Sequence, residues 1–314
     1  MTTAPLPTEP PVRPRPTRGS PHDRSAWLSR ALLVLLAAVV VLITLFPLYW
    51  VFRTALSDPK QIFTHTGSLL PVGFTLSNFA RVLGLLTPEQ AIAAGGTGQP
   101  FYFFRALFNS VLVTVFVVAG QVFFSALAAY AFARLRFPGR SLVFTLFISA
   151  LLVPGVVTLV PNFVFIKDLG WLNTYQGQIA PYFLMTPLAV FYLRQFFIGV
   201  PRELEEAAKL DGASTFGIFW RVVLPLSRGA LATISILTFI AAWNNFLWPY
   251  LIAQDPRVQV LTAALATFRT QSPQGSPDWT GLMAGNGLSM LPPLLLLLIM
   301  GRQIVASLQH SGGK

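Results

Sequence analysis

Histidine, a frequent general base and metal ligand, occurs only at His22, His65 and His310, and cysteine is absent. The three positions are scattered, with no metal-ligand spacing and no nucleophile–base arrangement around them. The glycine-rich run Gly95–Pro100, GGTGQP, lacks the Gly-Lys-Ser/Thr ending of a phosphate-binding loop. Ionisable residues gather instead in Glu205–Arg228, EEAAKLDGASTFGIFWRVVLPLSR, which carries Glu205, Glu206, Lys209, Asp211, Arg221 and Arg228. Charges of both signs without a visible nucleophile–base arrangement offer ionic contacts rather than catalysis. The stretch lies between two long apolar runs, so its position needs an explanation.

The elements that must hold it are membrane spans. Of 314 residues, 54% are hydrophobic and 11% charged, against roughly 25% charged in soluble domains. Several charge-free stretches of about 20 residues are long enough to cross a bilayer as helices. The expected fold is all-α, a polytopic membrane protein with about six transmembrane helices. The spans are expected at about Trp27–Phe52, Ala106–Ala133, Ser141–Ile166, Gln178–Phe197, Ala230–Ala253 and Leu282–Val305. Pro154 and Pro161 should kink the third, and Pro181, Pro187 and Arg194 interrupt the fourth. Residues 1–25 read as a disordered Pro/Arg-rich tail. Residues 26–105 form the first span and a long polar loop with short helices. Residues 106–306 form the main transmembrane domain, with the polar loop at 200–228, and 307–314 form a C-terminal tail. The first apolar run is too long and starts too late for a signal peptide, and it lacks a cleavage site.

The net charge of +11 would raise nucleic acid for a soluble protein. In a membrane protein the positive-inside rule explains it, and no nucleic-acid partner is expected. Arg13, Arg15, Arg18 and Arg24 lie in the tail, and Arg134, Arg136 and Arg140 between the second and third spans. Arg202, Lys209, Arg221 and Arg228 lie between the fourth and fifth. Short-loop counting therefore puts both termini, the arginine turn and the polar stretch in the cytoplasm.

The local grammar of the polar stretch is a helix pair. Pro201 suits the first helical position, with Glu203, Glu205 and Glu206 at the positive helix end. Gly212 is placed to end that helix in the left-handed conformation. A second helix is expected from about Ala213 to Leu224, stopping before Pro225. On it Phe216, Phe219, Trp220 and Val223 share one apolar face by helical spacing. An amphipathic pair lying on the inner leaflet would explain the aromatics. It explains the Glu-Glu-Ala-Ala run poorly, because helices on an anionic leaflet favour basic polar faces.

Glu206-Ala207-Ala208, then Gly212, then Val222-x-Leu224-Pro225 resembles the EAA loop of bacterial ABC-importer permeases, with Val222 where the family usually has Ile. Leu127–Arg140, Leu152–Thr174, Val200–Ala213 and Ala241–Ala253 are similar to the maltose-type sugar permease subunit. The resemblance extends over nearly the whole chain after the tail. It implies a bacterial inner-membrane permease for a sugar or oligosaccharide that is not itself an enzyme. The implied partners are a sibling permease, an ABC ATPase dimer that holds ATP and Mg, and an extracytoplasmic sugar-binding protein. This chain would bind no cofactor or metal. Glu206, Ala207, Ala208, Asp211 and Gly212 would form the core that docks on the ATPase, with Leu224 and Pro225 closing the motif. The C-terminal tail, Ile304–Lys314, would contact the ATPase dimer, or would simply fray.

Asn109, Gln121, Asn162, Trp243, Asn244 and Asn245 are candidates for the substrate path, since a polar group within a span needs a partner or a cavity. Hydrogen bonding between helices is the competing reading for each amide, and interfacial anchoring for Trp243 and Trp248. An ABC permease for a non-sugar solute remains an alternative. A self-sufficient secondary transporter is disfavoured, because no acidic residue lies inside any expected span.

Overall fold

The computed structural model describes residues 22–65, 67–96, 98, 99, 101–270 and 277–311, with the side chains of 22–26, 270 and 302–311 outside the description. Among the described residues every regular element is helical. The chain divides into two units, Met1–Trp50 and Val51–Lys314.

Within the first unit, helix α1 (His22–Ala55) begins at His22, so the last few residues of the expected tail are helical. Residues 1–21 lie outside the described residues. From Trp27 to Pro47 the helix is apolar on nearly every side and its side chains are exposed. A helix without a polar face needs a nonpolar surround.

In the second unit, the chain leaving α1 forms a loop with two short helices, α2 (Ser77–Val82) and α3 (Pro88–Ala93). Thr87 and Gln90 form a reciprocal capping box at the start of α3. The central element is α4 (Phe103–Arg134), a 32-residue apolar helix. Its buried stripe, Ala106, Ser110, Val113, Val117 and Gly120, follows helical spacing. Gly120 is required there. A Cβ at this position would lie 2.4 Å from the Phe183 ring.

The third and fourth expected spans are broken rather than continuous. The third is α5 (Arg140–Ser149), a 3₁₀ turn at Ala150–Leu152, an irregular segment, and α6 (Leu159–Asp168). Pro154 lies in that irregular segment, and a proline both lacks the N–H and biases the preceding residue away from helix. The fourth is α7 (Tyr175–Phe183) and α8 (Pro187–Ile198), with Pro187 opening the second piece. The Leu184–Thr186 break is held by α4, where Ser125 Oγ accepts from the Thr186 N–H at 3.2 Å and Gln121 Nε2 donates to Thr186 Oγ1 at 3.0 Å.

The polar loop follows as α9 (Arg202–Leu210), α10 (Thr215–Ile218), a π turn at Phe219–Val223, and α11 (Leu224–Leu226). The expected stop before Pro225 is therefore corrected: the helix continues to Leu226. The wide π turn precedes the residue that cannot donate a backbone hydrogen bond. A bend of 81° then leads into α12 (Arg228–Trp243).

The chain closes with α13 (Leu247–Ile252), α14 (Leu261–Leu265), α15 (Thr267–Thr270), α16 (Trp279–Ser289) and α17 (Leu291–Ser311). The segment after the fifth span is not a plain loop. Leu261, Ala264 and Leu265 are buried with Phe103 and Ala106 of α4 and Leu282 of α16. Its hydrophobic run is too short to have been distinguished from a loop by period. Among the described residues, three helices are long and apolar enough to cross a membrane, or four if the bent pair counts as one span. Breaks at Pro154 and before Pro187 divide the third and fourth expected spans, and the fifth is broken at Asn244–Phe246, which holds no proline.

Candidate functional site

Helix α9 is anchored by one buried charge pair. Glu205 is buried, and its carboxylate lies 2.8 Å from Arg134 Nε at the end of α4. The Arg134 guanidinium also donates to the Val200 carbonyl, just before α9. These contacts orient the rest of the helix: Glu206, Ala207 and Asp211 are exposed, and Ala208 is half-buried. The sequence reading missed Glu205 as a distinct residue. Its signal was available in the motif itself, where two adjacent acids on a helix cannot face the same way.

The turn between the helices is a Schellman motif. Gly212 has φ +83°, and its N–H donates to the Lys209 carbonyl at 3.0 Å. The Ala213 N–H donates to the Ala208 carbonyl at 2.9 Å. A Cβ at Gly212 would meet nothing within 4 Å, so only the backbone conformation demands glycine here. Ser214 then caps α10, its Oγ accepting from the Gly217 N–H at 3.1 Å.

The four aromatic and aliphatic residues expected on one face divide in two. Phe219 and Val223 are buried, together with Ile218, against α4, α8 and α12. Phe216 and Trp220 remain 59% and 54% exposed and stack on each other, with ring centroids 6.4 Å apart and planes 18° apart. The π turn widens the helix at this point, so an ideal 3.6-residue period misplaces the pair. Leu224 is half-buried and Pro225 exposed. A groove of about 390 Å³ separates the end of α4 from α9, lined by Arg134, Arg136, Arg202, Lys209, Glu205 and Glu206.

A second feature is a partly open space between helices. A cavity of about 110 Å³ is lined by residues from α4, α7, α12 and α13 and the segments around them. Gln121, Trp243 and Asn245 of the candidate path reach it, joined by Thr114, Gln178 and Thr238. Among the described residues, no charged side chain lines it. Gln178 is buried, and its Nε2 donates to the Val258 carbonyl at 2.9 Å. Its Oε1 has no partner among the described residues. Sequence reasoning passed over Gln178 because it lies at the edge of the fourth expected span.

The other three candidates do not line this cavity. Asn109 is buried and fully engaged: its Nδ2 donates to the carbonyls of Arg257 and Gln259, and its Oδ1 accepts from the Tyr175 hydroxyl at 2.7 Å. Asn244 is exposed and donates to the Ile240 carbonyl of its own helix at 2.9 Å. Asn162 is exposed on α6. Trp243 also has a structural bond, donating from Nε1 to the Ser289 carbonyl at 3.1 Å. Trp248 is buried and donates to the Gly177 carbonyl, so it is not an interfacial anchor.

Another buried ion pair joins α2 to the start of α16. Arg81 of α2 meets Asp278 at 2.7 Å, and Asn78 and Thr280 complete the contacts of its guanidinium. Asn78 in turn donates to the carbonyls of Ala55 and Ser57, both at 2.8 Å. Asp278 caps α16 through the Gly281 N–H. The expected contact of the C-terminal tail, Ile304–Lys314, falls on side chains outside the described residues.

Among the described residues, long apolar helices with a polar loop fixed to the central one make the architecture of a polytopic membrane protein. The model of the family described as "Binding-protein-dependent transport system inner membrane component" matches residues 121–310. The sn-glycerol-3-phosphate transport system permease protein UgpE of Yersinia enterocolitica is 35% identical over 272 residues, covering 86% of this chain and 92% of that protein. The protein of the same name from Escherichia coli O1:K1 is 33% identical over 292 residues, covering 92% and 99%. A crystal structure of a bacterial ABC transporter involved in import of the acidic polysaccharide alginate has a similar fold. Its TM-score is 0.71 at 23% identity, covering 91% of this chain and 99% of that one. The chain belongs to the inner membrane components of binding-protein-dependent transport systems. It is a multi-pass permease subunit of an ABC importer and not an enzyme.

Proposed function

We propose that this chain forms half of the translocation pathway for a sugar or oligosaccharide, and that the loop from Pro201 to Arg228 receives the stroke of a separate ATPase. One observation carries the coupling. The exposed Glu206–Gly212 surface is joined through the buried Glu205–Arg134 pair to α4, the helix that also lines the membrane cavity. A push on the loop would thereby act on the cavity wall. Rigid-body rocking around a site in the membrane is a general transport mechanism. The proposed assembly adds a sibling permease, two ATPase copies that hold ATP and Mg, and an extracytoplasmic sugar-binding protein. Both termini and the arginine-rich end of α4 would face the cytoplasm.

The uncharged cavity lining, rich in amide, hydroxyl and indole groups, supports an uncharged polyhydroxylated solute. The named substrates of the relatives, glycerol phosphate and alginate, favour a second reading, an acidic solute. Uptake by the reconstituted system of neutral oligosaccharides against glycerol phosphate and uronate oligomers separates the two.

Gly212→Leu and Glu206→Lys test the coupling. Both variants should insert normally, lose most ATPase co-purification and abolish ATP-dependent uptake, while sugar binding to the separate binding protein stays unchanged. Normal stoichiometry with normal uptake in both would make this stretch a passive leaflet helix.

A further inference from the structure

The groove between the end of α4 and α9 holds more positive charge than the contacts of the loop use. Its lining sets Arg134, Arg136, Arg202 and Lys209 against Glu205 and Glu206. Arg134 and Glu205 neutralise each other. Arg136, Arg202 and Lys209 are exposed, and their side chains make no hydrogen bond or ion pair among the described residues. Three cations therefore face one remaining carboxylate, that of Glu206.

Both walls are braced. On the α4 side, Arg140 Nη1 donates to the Leu135 carbonyl at 3.0 Å and closes the turn that carries Arg136. On the other side, Arg134 fixes α9 through Glu205 and the Val200 carbonyl. Arg202, Glu206 and Lys209 follow at helical spacing, so they share a face of α9 with Glu205. Glu203 and Ala207 lie on the far face and are exposed. The docking core proposed above shares only Glu206 with the groove. An ATPase seated on that core does not by itself account for the three cations.

Depth in the membrane decides which anion can reach them. Helix α4 carries no charge from Ala106 to Ala133, a rise of about 42 Å. That is the thickness of a bilayer with both headgroup layers, about 40–45 Å. Arg134 and Arg136 thus emerge at the level of the lipid phosphates. Leu135 lines the groove between them and is 38% exposed, an apolar surface for the glycerol end of a lipid. Guanidinium groups match phosphate oxygens in pairs. Each basic residue close to an anionic leaflet strengthens association about fivefold.

We infer that this groove binds a phosphate-type anion, supplied by the headgroup of an anionic phospholipid in the cytoplasmic leaflet. Bound there, the headgroup joins Arg136 on the α4 side to Arg202 and Lys209 on α9. It forms a second clasp beside the Glu205–Arg134 pair and makes coupling sensitive to lipid composition. The inference rests on the cytoplasmic placement of this end of α4 proposed above, and adds a ligand to the loop.

The test uses the whole transporter in phosphatidylcholine nanodiscs. These contain a trace of phosphatidylglycerol with a photoreactive headgroup, or a matched phosphatidylcholine probe. Labelled segments are mapped by mass spectrometry. The phosphatidylglycerol probe should label the segments around Arg136 and Lys209 at least fivefold more than the phosphatidylcholine probe. Arg136→Gln, Arg202→Gln and Lys209→Gln together should remove that preference. Arg136→Lys, Arg202→Lys and Lys209→Arg together should keep it. The glutamine variant is first required to co-purify with the ATPase. Where it does not, competition by unlabelled phosphatidylglycerol on the unaltered transporter decides. Equal labelling by the two probes, or a preference that survives the glutamine variant, would overturn the site and leave the importer reading standing. Displacement by millimolar inorganic phosphate at constant ionic strength, but not by unlabelled lipid, would replace the lipid with a soluble anion. Labelling confined to preparations lacking the ATPase would give the groove to that subunit instead. An exported reporter after Arg140 would bring down the orientation itself.

Discussion

At the residue scale, the two glutamates at the start of the loop have opposite roles. Glu206 is exposed and free to meet a partner, whereas Glu205 is buried against Arg134. Removing one member of a buried pair leaves an uncompensated charge, at a cost of about 3–5 kcal/mol. The Val200 carbonyl still accepts from Arg134, so Glu205→Ala should fall at the lower end of that range. Thermal unfolding of the detergent-solubilised subunit checks this. Arg134→Leu combined with Glu205→Ala should recover much of the loss, and a double variant worse than either single one would show that the pair is not the unit. Glu206→Gln should leave the unfolding midpoint unchanged. Gly212 was legible in the sequence because only its backbone conformation matters, and its φ of +83° makes any Cβ cost about 1–2 kcal/mol. Glu205 was harder to single out, since burial of one acid in an adjacent pair depends on where a helix far away in sequence ends.

At the element scale, Phe219 and Trp220 are neighbours with opposite expected outcomes. Phe219 is buried and its ring lies 5.2 Å from that of Tyr130 on α4. Phe219→Ala should cost about 3–5 kcal/mol, as for other buried aromatics. Trp220→Ala should change stability by less than about 0.5 kcal/mol and reduce ATPase association instead. Parallel unfolding and pull-down measurements on both variants decide it, and equal destabilisation would return Trp220 to the core. The apolar period correctly marked the helix and its residues. It could not foresee the π turn, because a single inserted residue alters facing without altering composition. Pro154, read as a kink, falls in a break; Pro187 opens the second piece of the span it was expected to interrupt; Pro161 and Pro181 lie within helices. A free carbonyl is tolerated or not according to neighbours that a linear sequence does not specify: Ser125 and Gln121 hold the second break from α4.

For the whole molecule, composition alone fixed the solvent: with 11% charged residues, no water-soluble core of this size is plausible. Orientation follows from the arginine distribution and has a direct check. Reporters fused after Arg140 and after Leu224 should stay cytoplasmic, and one after Gln99 should be exported. A cytoplasmic signal at Gln99 would invert the proposed arrangement. The candidate path was only partly readable from sequence. Polar residues inside apolar helices are easily listed, but Asn109 is spent on bracing the Arg257–Gln259 segment, while Gln178 lines the cavity and has a side-chain oxygen with no partner among the described residues. That difference lies in packing between helices, not in the identity of either amide.

The Arg81–Asp278 pair has a bearing on biosynthesis. Its partners are 197 residues apart, and ribosomes add about 5–20 residues per second. Arg81 must therefore wait roughly 10–40 s after its own synthesis before its carboxylate exists. During that interval the first loop lacks its clasp, and the nascent chain is open to membrane-associated proteases or to a chaperone. Chains truncated before Asp278, and full-length Asp278→Asn, should both be cleared faster than the intact protein in pulse-chase labelling. Equal half-lives would mean that the loop is held by Asn78 and its neighbours alone, and that the late-made carboxylate has no part in quality control.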